Sequence, residues 1–216
     1  KVIEDIAEAK KIAQKIGYPV IIKAAAGGGG KGLRVVRSTT NLEEQFPIAQ
    51  NEAKTAFGDS SIYLEKYLLK ARHIEIQVVG DKKGNVLAFG ERECSIQRKH
   101  QKLLEETPSP FIDEKLRRKL IKAVQEAAHF IGYQSLGTFE FLVDERKKFY
   151  FMEVNTRVQV EHPITEMVYA IDLIKEQIKI AAGDKLSFSP HLRLHGHSIE
   201  CRINAEDAET FIPSPG

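Results

Sequence analysis

The chain has 216 residues, 42% of them hydrophobic and 29% charged, with a formal net charge of +2. That length fits one large or two small domains, and that balance is the one of an ordinary soluble globular fold. The small charge supplies no bulk field for nucleic acid or an anionic membrane, and no apolar run or leader pattern marks a membrane span or signal peptide.

Ile3, Ile6, Ala7, Ala9, Ile12, Ala13 and Ile16 recur at helical spacing, and Gly17 is a natural stop. Residues 19–24 read as a strand. The four glycines 27–30, followed by Lys31-Gly32, form a flexible loop into a second strand at 33–36. Residues 42–57 read as a helix with Pro47 near its start, and 61–68 as a strand. These elements make a small α+β unit, expected to end at residue 66.

From residue 67 onward the pattern changes. Segments 73–79 and 86–93 flank Gly80-Asp81-Lys82-Lys83-Gly84-Asn85 as a hairpin. Residues 113–131 repeat at helical period. Segments 137–143 and 148–154 form another hairpin around Asp144-Glu145-Arg146-Lys147. Pro163 opens a helix running to about residue 182, and 196–203 is a last strand. Cys94 and Cys201 lie far apart without metal-ligand company, which predicts reduced thiols in a cytosolic protein. The start at Lys1 and the stop at Pro213-Ser214-Pro215-Gly216 predict a piece of a longer chain.

Polar residues stand at every second position in Glu153, Asn155, Arg157, Gln159 and Glu161. If extended, that stretch puts all of them on one face. Such a face suits either solvent or a site that holds a metal, clamps an anion and keeps a base. Glu140 sits on the partner strand of the same hairpin, so Glu140, Glu153 and Asn155 offer the oxygen donors that Mg2+ or Mn2+ takes beside phosphates. The glycine loop, with Lys23 before it, suits a triphosphate or a plain surface hairpin. It matches neither GxxxxGK[ST] nor a GxGxxG strand–helix junction. The run Gln97-Arg98-Lys99-His100-Gln101-Lys102 reads as a solvated basic turn or as a phosphate or bicarbonate contact.

Several segments together closely resemble biotin carboxylase, an ATP-grasp family. They are Lys23-Ala24-Ala25-Ala26 with the glycines, Glu65-Lys66-Tyr67-Leu68, Arg72-His73-Ile74-Glu75-Ile76-Gln77, Glu93-Cys94-Ser95-Ile96-Gln97-Arg98 and His100-Gln101-Lys102. Gly137-Thr138-Phe139-Glu140-Phe141, the row from Glu153 to His162, and Glu200-Cys201-Arg202-Ile203-Asn204 complete the match, which runs in order along almost the whole chain. The resemblance implies an α+β ATP-grasp fold with a small glycine-flap subdomain, 1–66, and a larger antiparallel-sheet subdomain, 67–216, cut at its C-terminal end. It also implies family domains before and after this segment.

The implied reaction is ATP-dependent carboxylation of biotin on a carrier protein, using bicarbonate through carboxyphosphate. Lys23 and the Gly28 and Gly29 amides would contact phosphates, and the flap would close to exclude water. Glu65, Lys66 and Leu68 would line the adenine hinge, with His73, Gln97 and His100 near the ribose and phosphates. Glu140, Glu153 and Asn155 would hold two Mg2+ or Mn2+ ions. Lys102, Arg157, Gln159, Val160 and Glu161 would hold bicarbonate, with Glu161 as its base, and Arg202 would stabilise the biotin enolate. Partners would be a biotin carboxyl carrier and a carboxyltransferase, with a homodimer in the full-length parent and no nucleic acid or membrane. The implied location is the cytoplasm, or the mitochondrial matrix in a eukaryote. This segment alone would be a weak catalyst. The competing readings are a carbamoyl-phosphate synthetase-like ligase and a nucleotide-binding module without chemistry.

Overall fold

The computed structural model describes residues 2–26, 33–98, 100–189 and 192–214. The chain divides into two compact units, Lys1–Lys70 and Ala71–Gly216. The glycines 27–30 and Lys31 lie outside the described residues.

The first unit runs α1 (Ile6–Ile16), β1 (Val20–Ala24), β2 (Arg34–Val36), α2 (Thr39–Phe57) and β3 (Ile62–Lys66). Its antiparallel sheet has the order β2-β1-β3. Asp5 caps α1 by accepting from the Glu8 amide at 2.8 Å, and Gly17 ends it at φ 80°. Ala9 and Ala13 from α1 and Leu42, Phe46 and Ala49 from α2 pack on Val20, Ile22, Val36 and Ile62. Helix α2 begins earlier than the expected residue 42 because Ser38 supplies its cap, accepting from the Asn41 amide at 3.2 Å. Pro47 therefore lies inside the helix rather than near its start.

The second unit runs β4 (Ala71–Gly80), β5 (Val86–Arg98), β6 (Gln101–Thr107), α3 (Glu114–Phe130), β7 (Ser135–Asp144), β8 (Phe149–Asn155), α4 (His162–Tyr169), α5 (Leu173–Ala182) and β9 (Ser198–Cys201). The strands form one antiparallel sheet in the order β8-β7-β4-β5-β6-β9. Alternation sorts the side chains of β4. Ile74, Ile76 and Val78 face α3, where Leu116, Leu120, Val124 and Ala128 cover them together with Phe139 and Phe141. Val79, Phe89 and Leu136 on the other face pack against Leu173 and Ile180 of α5. On that same face of β4, His73, Glu75 and Gln77 continue the row as polar groups. The face toward α3 is mainly apolar, with buried Glu91 opposite Ile76 bound by Arg117 of α3 at 2.7 Å, and the other face is split between an apolar end and a polar end.

Three departures from the sequence reading bear on the site. The basic run 97–102 is not a free turn, since β5 extends to Arg98 and β6 starts at Gln101. The helix expected from 163 to 182 is two helices, because Ala170 turns left-handed at φ 52° and Asp172 caps α5 through the Lys175 amide at 2.8 Å. The polar row from 153 is extended only as far as Asn155. Beyond it the chain leaves the ladder and folds into a turn closed by His162 N donating to Gln159 O at 3.3 Å, ahead of Pro163 in the first turn of α4. Among the described residues no helix is long and apolar enough to cross a membrane.

Candidate functional site

The polar end of the sheet gathers around Arg92, which is fully buried. Register places Glu75 opposite Arg92 on β5 and opposite Glu140 on β7, and Gln77 opposite Thr138. The guanidinium donates to Glu75 Oε2 from Nη2 at 3.1 Å and to Gln77 Oε1 from Nη1 at 2.7 Å. It also reaches Thr138 at 3.1 Å, Thr165 of α4 at 3.1 Å and Gln159 Oε1 at 3.2 Å. A planar fork can serve that many acceptors at once, and a point charge cannot. Arg92 thereby ties the sheet to the turn that carries Gln159 and Glu161.

Lys102 is the second hub. Two register shifts separate Glu93 from Gln97 along the β5–β6 ladder, and such bulges re-aim side chains. Lys102 Nζ donates to Glu140 Oε1 at 2.9 Å and Glu161 Oε1 at 2.8 Å, and it contacts Glu75 Oε1. Burial alone would push this ammonium down, but Glu75, Glu161 and Glu140 outweigh it and hold Lys102 well above its usual range. Glu140 Oε1 also accepts from Asn155 at 2.8 Å and Gln159 at 3.0 Å. His73 Nε2 stands 3.2 Å from both Glu75 and Glu140. Burial opposes charge on that ring, yet the Glu140 and Glu75 carboxylates beside it raise His73 to about 9. Burial tends to raise Glu75, but nearby His73 and the charges of Arg92 and Lys102 hold it well below the usual carboxylate range. Burial and Cys94's neighbour Glu75 push that thiol up, so it stays protonated.

Glu161 is 2% exposed and engaged at both oxygens. Oε1 accepts from Lys102, and Oε2 accepts from Arg202 Nη2 at 2.9 Å. Each oxygen keeps a second lone pair that can take a proton. Arg202 follows β9 and is fixed there by its amide donating to Leu103 O at 2.9 Å. Its Nε lies 2.9 Å from Glu105 Oε1. Burial, reinforced by Glu200 and Glu161 against the pull of Arg202, pushes Glu105 up to about 7. Burial and Glu161 raise Glu200 as well.

The second unit therefore brings together His73, Lys102, Glu140, Asn155, Gln159, Glu161 and Arg202. Gln97 borders the group, donating to Cys94 O at 2.7 Å beside His73 Nδ1 at 3.1 Å. Glu153 stands opposite Glu140 in the β7–β8 register but is exposed. Arg157 and Val160 are exposed too, and Arg157 donates to the Val158 carbonyl at 3.1 Å. His100 is exposed in the β5–β6 turn at φ 65°. In the first unit Lys23 pairs with Glu65 at 2.5 Å, and Lys66 Nζ donates to the carbonyls of Gly17 and Tyr18 at 2.8 and 2.9 Å. Leu68 is half-buried just after β3, and Gly28 and Gly29 lie outside the described residues.

The sequence reading assigned no role to Glu75, Gln77, Arg92 or Glu105. The signal for the first two was present, because His73, Glu75 and Gln77 alternate with Ile74, Ile76 and Val78 as the 153–155 residues do with theirs. Ligand atoms of His73, Glu75 and Glu140 lie within 4.8 Å of one another, as do those of Glu75, Cys94 and Glu161. Glu153 stands across the ladder from Glu140 with Asn155 two residues further along β8, and carboxylate and amide oxygens are the ligand type that Mg2+ takes.

Residues 1–189 match the family model described as carbamoyl-phosphate synthase L chain, ATP binding domain. Biotin carboxylase of Haemophilus influenzae is 54% identical over 216 residues, covering 100% of this chain and 48% of that protein. A biotin carboxylase complex with β,γ-ATP from Campylobacter jejuni superposes with a TM-score of 0.94 at 55% identity, covering 100% of this chain and 48% of that one. The biotin carboxylase domain dimer of Hydrogenobacter thermophilus 2-oxoglutarate carboxylase, in complex with MgADP, ADP and bicarbonate, superposes with a TM-score of 0.92 at 51% identity, covering 98% and 47%. The chain spans about half the length of the curated relatives it matches.

Proposed function

This chain belongs to the carbamoyl-phosphate synthase L chain ATP-binding domain family, on its biotin carboxylase branch and with the ATP-grasp fold, and from that premise we propose that it is the core of an ATP-dependent ligase that carboxylates biotin. The observation that carries the reading is Glu161, a buried carboxylate held at 2.8 Å by Lys102 and at 2.9 Å by Arg202. Nucleotide binding alone has no use for a carboxylate between two cations. A base that deprotonates a small anion needs that setting, since the cations offset the charge of the anion it acts on. The MgADP and bicarbonate complex of the Hydrogenobacter relative supports the same choice of substrates.

In this account Lys102, Gln159, Arg157 and the Val160 backbone hold bicarbonate, and Glu161 removes its O–H proton. The freed oxygen attacks the γ-phosphorus of ATP, the bond to the β-phosphate oxygen breaks, and ADP leaves. Divalent ions bound by Glu140, Glu153 and Asn155 would offset charge on the transferring phosphoryl group. Carboxyphosphate then divides into CO2 and phosphate. Phosphate takes the biotin N–H proton, Arg202 stabilises the enolate, and the ring nitrogen captures CO2. Lys23, Gly28, Gly29, Glu65, Lys66, Leu68, His73, Gln97 and His100 serve the nucleotide.

The carrier-bound biotin, a carboxyltransferase partner, a homodimeric parent and a cytosolic location belong to this same proposal. The test is ADP release by the full-length protein with ATP, Mg2+ and biotin, with and without bicarbonate. Release that requires bicarbonate and yields carboxybiotin supports the reading, and release indifferent to bicarbonate defeats it. The isolated 216-residue chain is expected to carboxylate free biotin far more slowly than the full-length protein.

A further inference from the structure

One contact of Arg202 has no part in the chemistry above. Its Nε stands 2.9 Å from Glu105 Oε1, and Glu105 is 0% exposed. Among the described residues neither oxygen of Glu105 has a hydrogen-bond partner, and Arg202 Nε has none either. The two groups are close but not aligned. Glu200, directly across the β6–β9 ladder from Glu105, also buries one oxygen, Oε2, without a partner. A buried carboxylate lacking hydrogen bonds is costly, and an apolar residue of similar size would stabilise the fold more. Anchoring β9 does not explain it. That strand already pairs from Leu104↔Cys201 to Thr107↔Ser198, and Arg202 N adds its bond to Leu103 O.

We propose that Glu105 is the positioning residue for Arg202 in the biotin half of the reaction, an inference that rests on the function proposed above. Arg202 is shared between two acids, with Nη2 on Glu161 and Nε beside Glu105. When Glu161 takes the bicarbonate proton it loses its charge, and its hold on Arg202 weakens. Glu105 is the anchor that remains. It keeps the guanidinium in the cluster through the following step, when Arg202 must stabilise the enolate. Glu105 touches no substrate in this account and acts through Arg202 alone.

The test is Glu105→Gln in the full-length protein, read in two assays at pH 8, where the Glu105 carboxyl is charged. Bicarbonate-dependent ATP cleavage without biotin starts from a charged Glu161, which holds Arg202 through Nη2 without help from Glu105, so it should stay within about twofold of the parent. The kcat for biotin carboxylation should fall about ten- to a hundredfold, as expected when a charged group is misplaced by a fraction of its own size. Equal losses in both assays would mark Glu105 as merely structural and overturn the inference, as would no loss in either. Should Glu105→Gln fail to fold, Glu105→Asp, which keeps the charge but retracts it, reads the same split. A parent without any bicarbonate-dependent ATP cleavage would overturn the proposed function and this inference with it. That result is distinct from an active parent whose variant shows no split.

Discussion

Lys102 Nζ donates to Glu161 Oε1 at 2.8 Å. The same ammonium also contacts Glu75 and Glu140, so three carboxylates converge on one cation. Lys102→Met would leave them facing one another with little solvent. Removing one partner of a buried charge cluster typically costs about 3–5 kcal/mol. Urea denaturation at neutral pH should show a loss of that order, and the loss should shrink in acid as the carboxylates take protons. An unchanged midpoint would mean that the contacts are not kept in solution.

Arg92→Lys keeps the charge and discards the fork. The replacement cannot reach Glu75, Gln77, Thr138, Thr165 and Gln159 together, so buried acceptors lose their donors. The expected cost is about 2–4 kcal/mol, measured by denaturant unfolding. A loss below about 0.5 kcal/mol would place Arg92 among ordinary surface substitutions instead.

Glu105 gives a pH signature. Its carboxyl rises from 4.5 in the unfolded chain to about 7 in the fold, driven first by burial. The folded state then holds a proton that the unfolded chain has released, so this group's contribution to stability is full below pH 4.5 and is lost as pH climbs through about 7. Glu105→Gln does not titrate. The stability of the variant relative to the parent should therefore be higher at pH 8 than at pH 4.5, as read from paired thermal melts. A difference that does not change with pH contradicts the shift.

Gly80 ends β4 against the turn after α3. A Cβ there would meet the Tyr133 carbonyl oxygen at 2.1 Å, and backbone cannot swing aside as a side chain can. Gly80→Ala should destabilise by about 1–3 kcal/mol. A neutral result would show that the β4–α3 junction relaxes freely.

How much of this could be read from the residues varied with the kind of signal. The 137–154 hairpin was legible because the polar turn Asp144-Glu145-Arg146-Lys147 separates two strand-like runs that carry Phe139, Phe141, Phe149 and Phe151. Strand β6 was not, because Lys102, Glu105 and Glu106 give it the composition of a solvated turn. Periodicity cannot tell a polar face turned to water from one folded onto its own counter-charges. That ambiguity also hid Glu75 and Arg92, whose partners lie on other strands, in the turn before α4 and on α4 itself. Of the row from Glu153 to Glu161, only Asn155, Gln159 and Glu161 join the cluster, while Glu153 and Arg157 are exposed, and alternation accounts for only part of that. Pleating aligns Glu153 and Asn155, whereas the turn before α4 carries Gln159 and Glu161 inward. The roles of Glu161 and Arg202 came from the family resemblance, since no spacing rule assigns them.

Glu161→Gln in the full-length protein tests the central claim most directly. The amide keeps the shape and removes the base, so bicarbonate-dependent ATP turnover should fall on the order of 10²-fold or more while nucleotide affinity is preserved. Turnover equal to the parent's would remove Glu161 as the base and contradict the account.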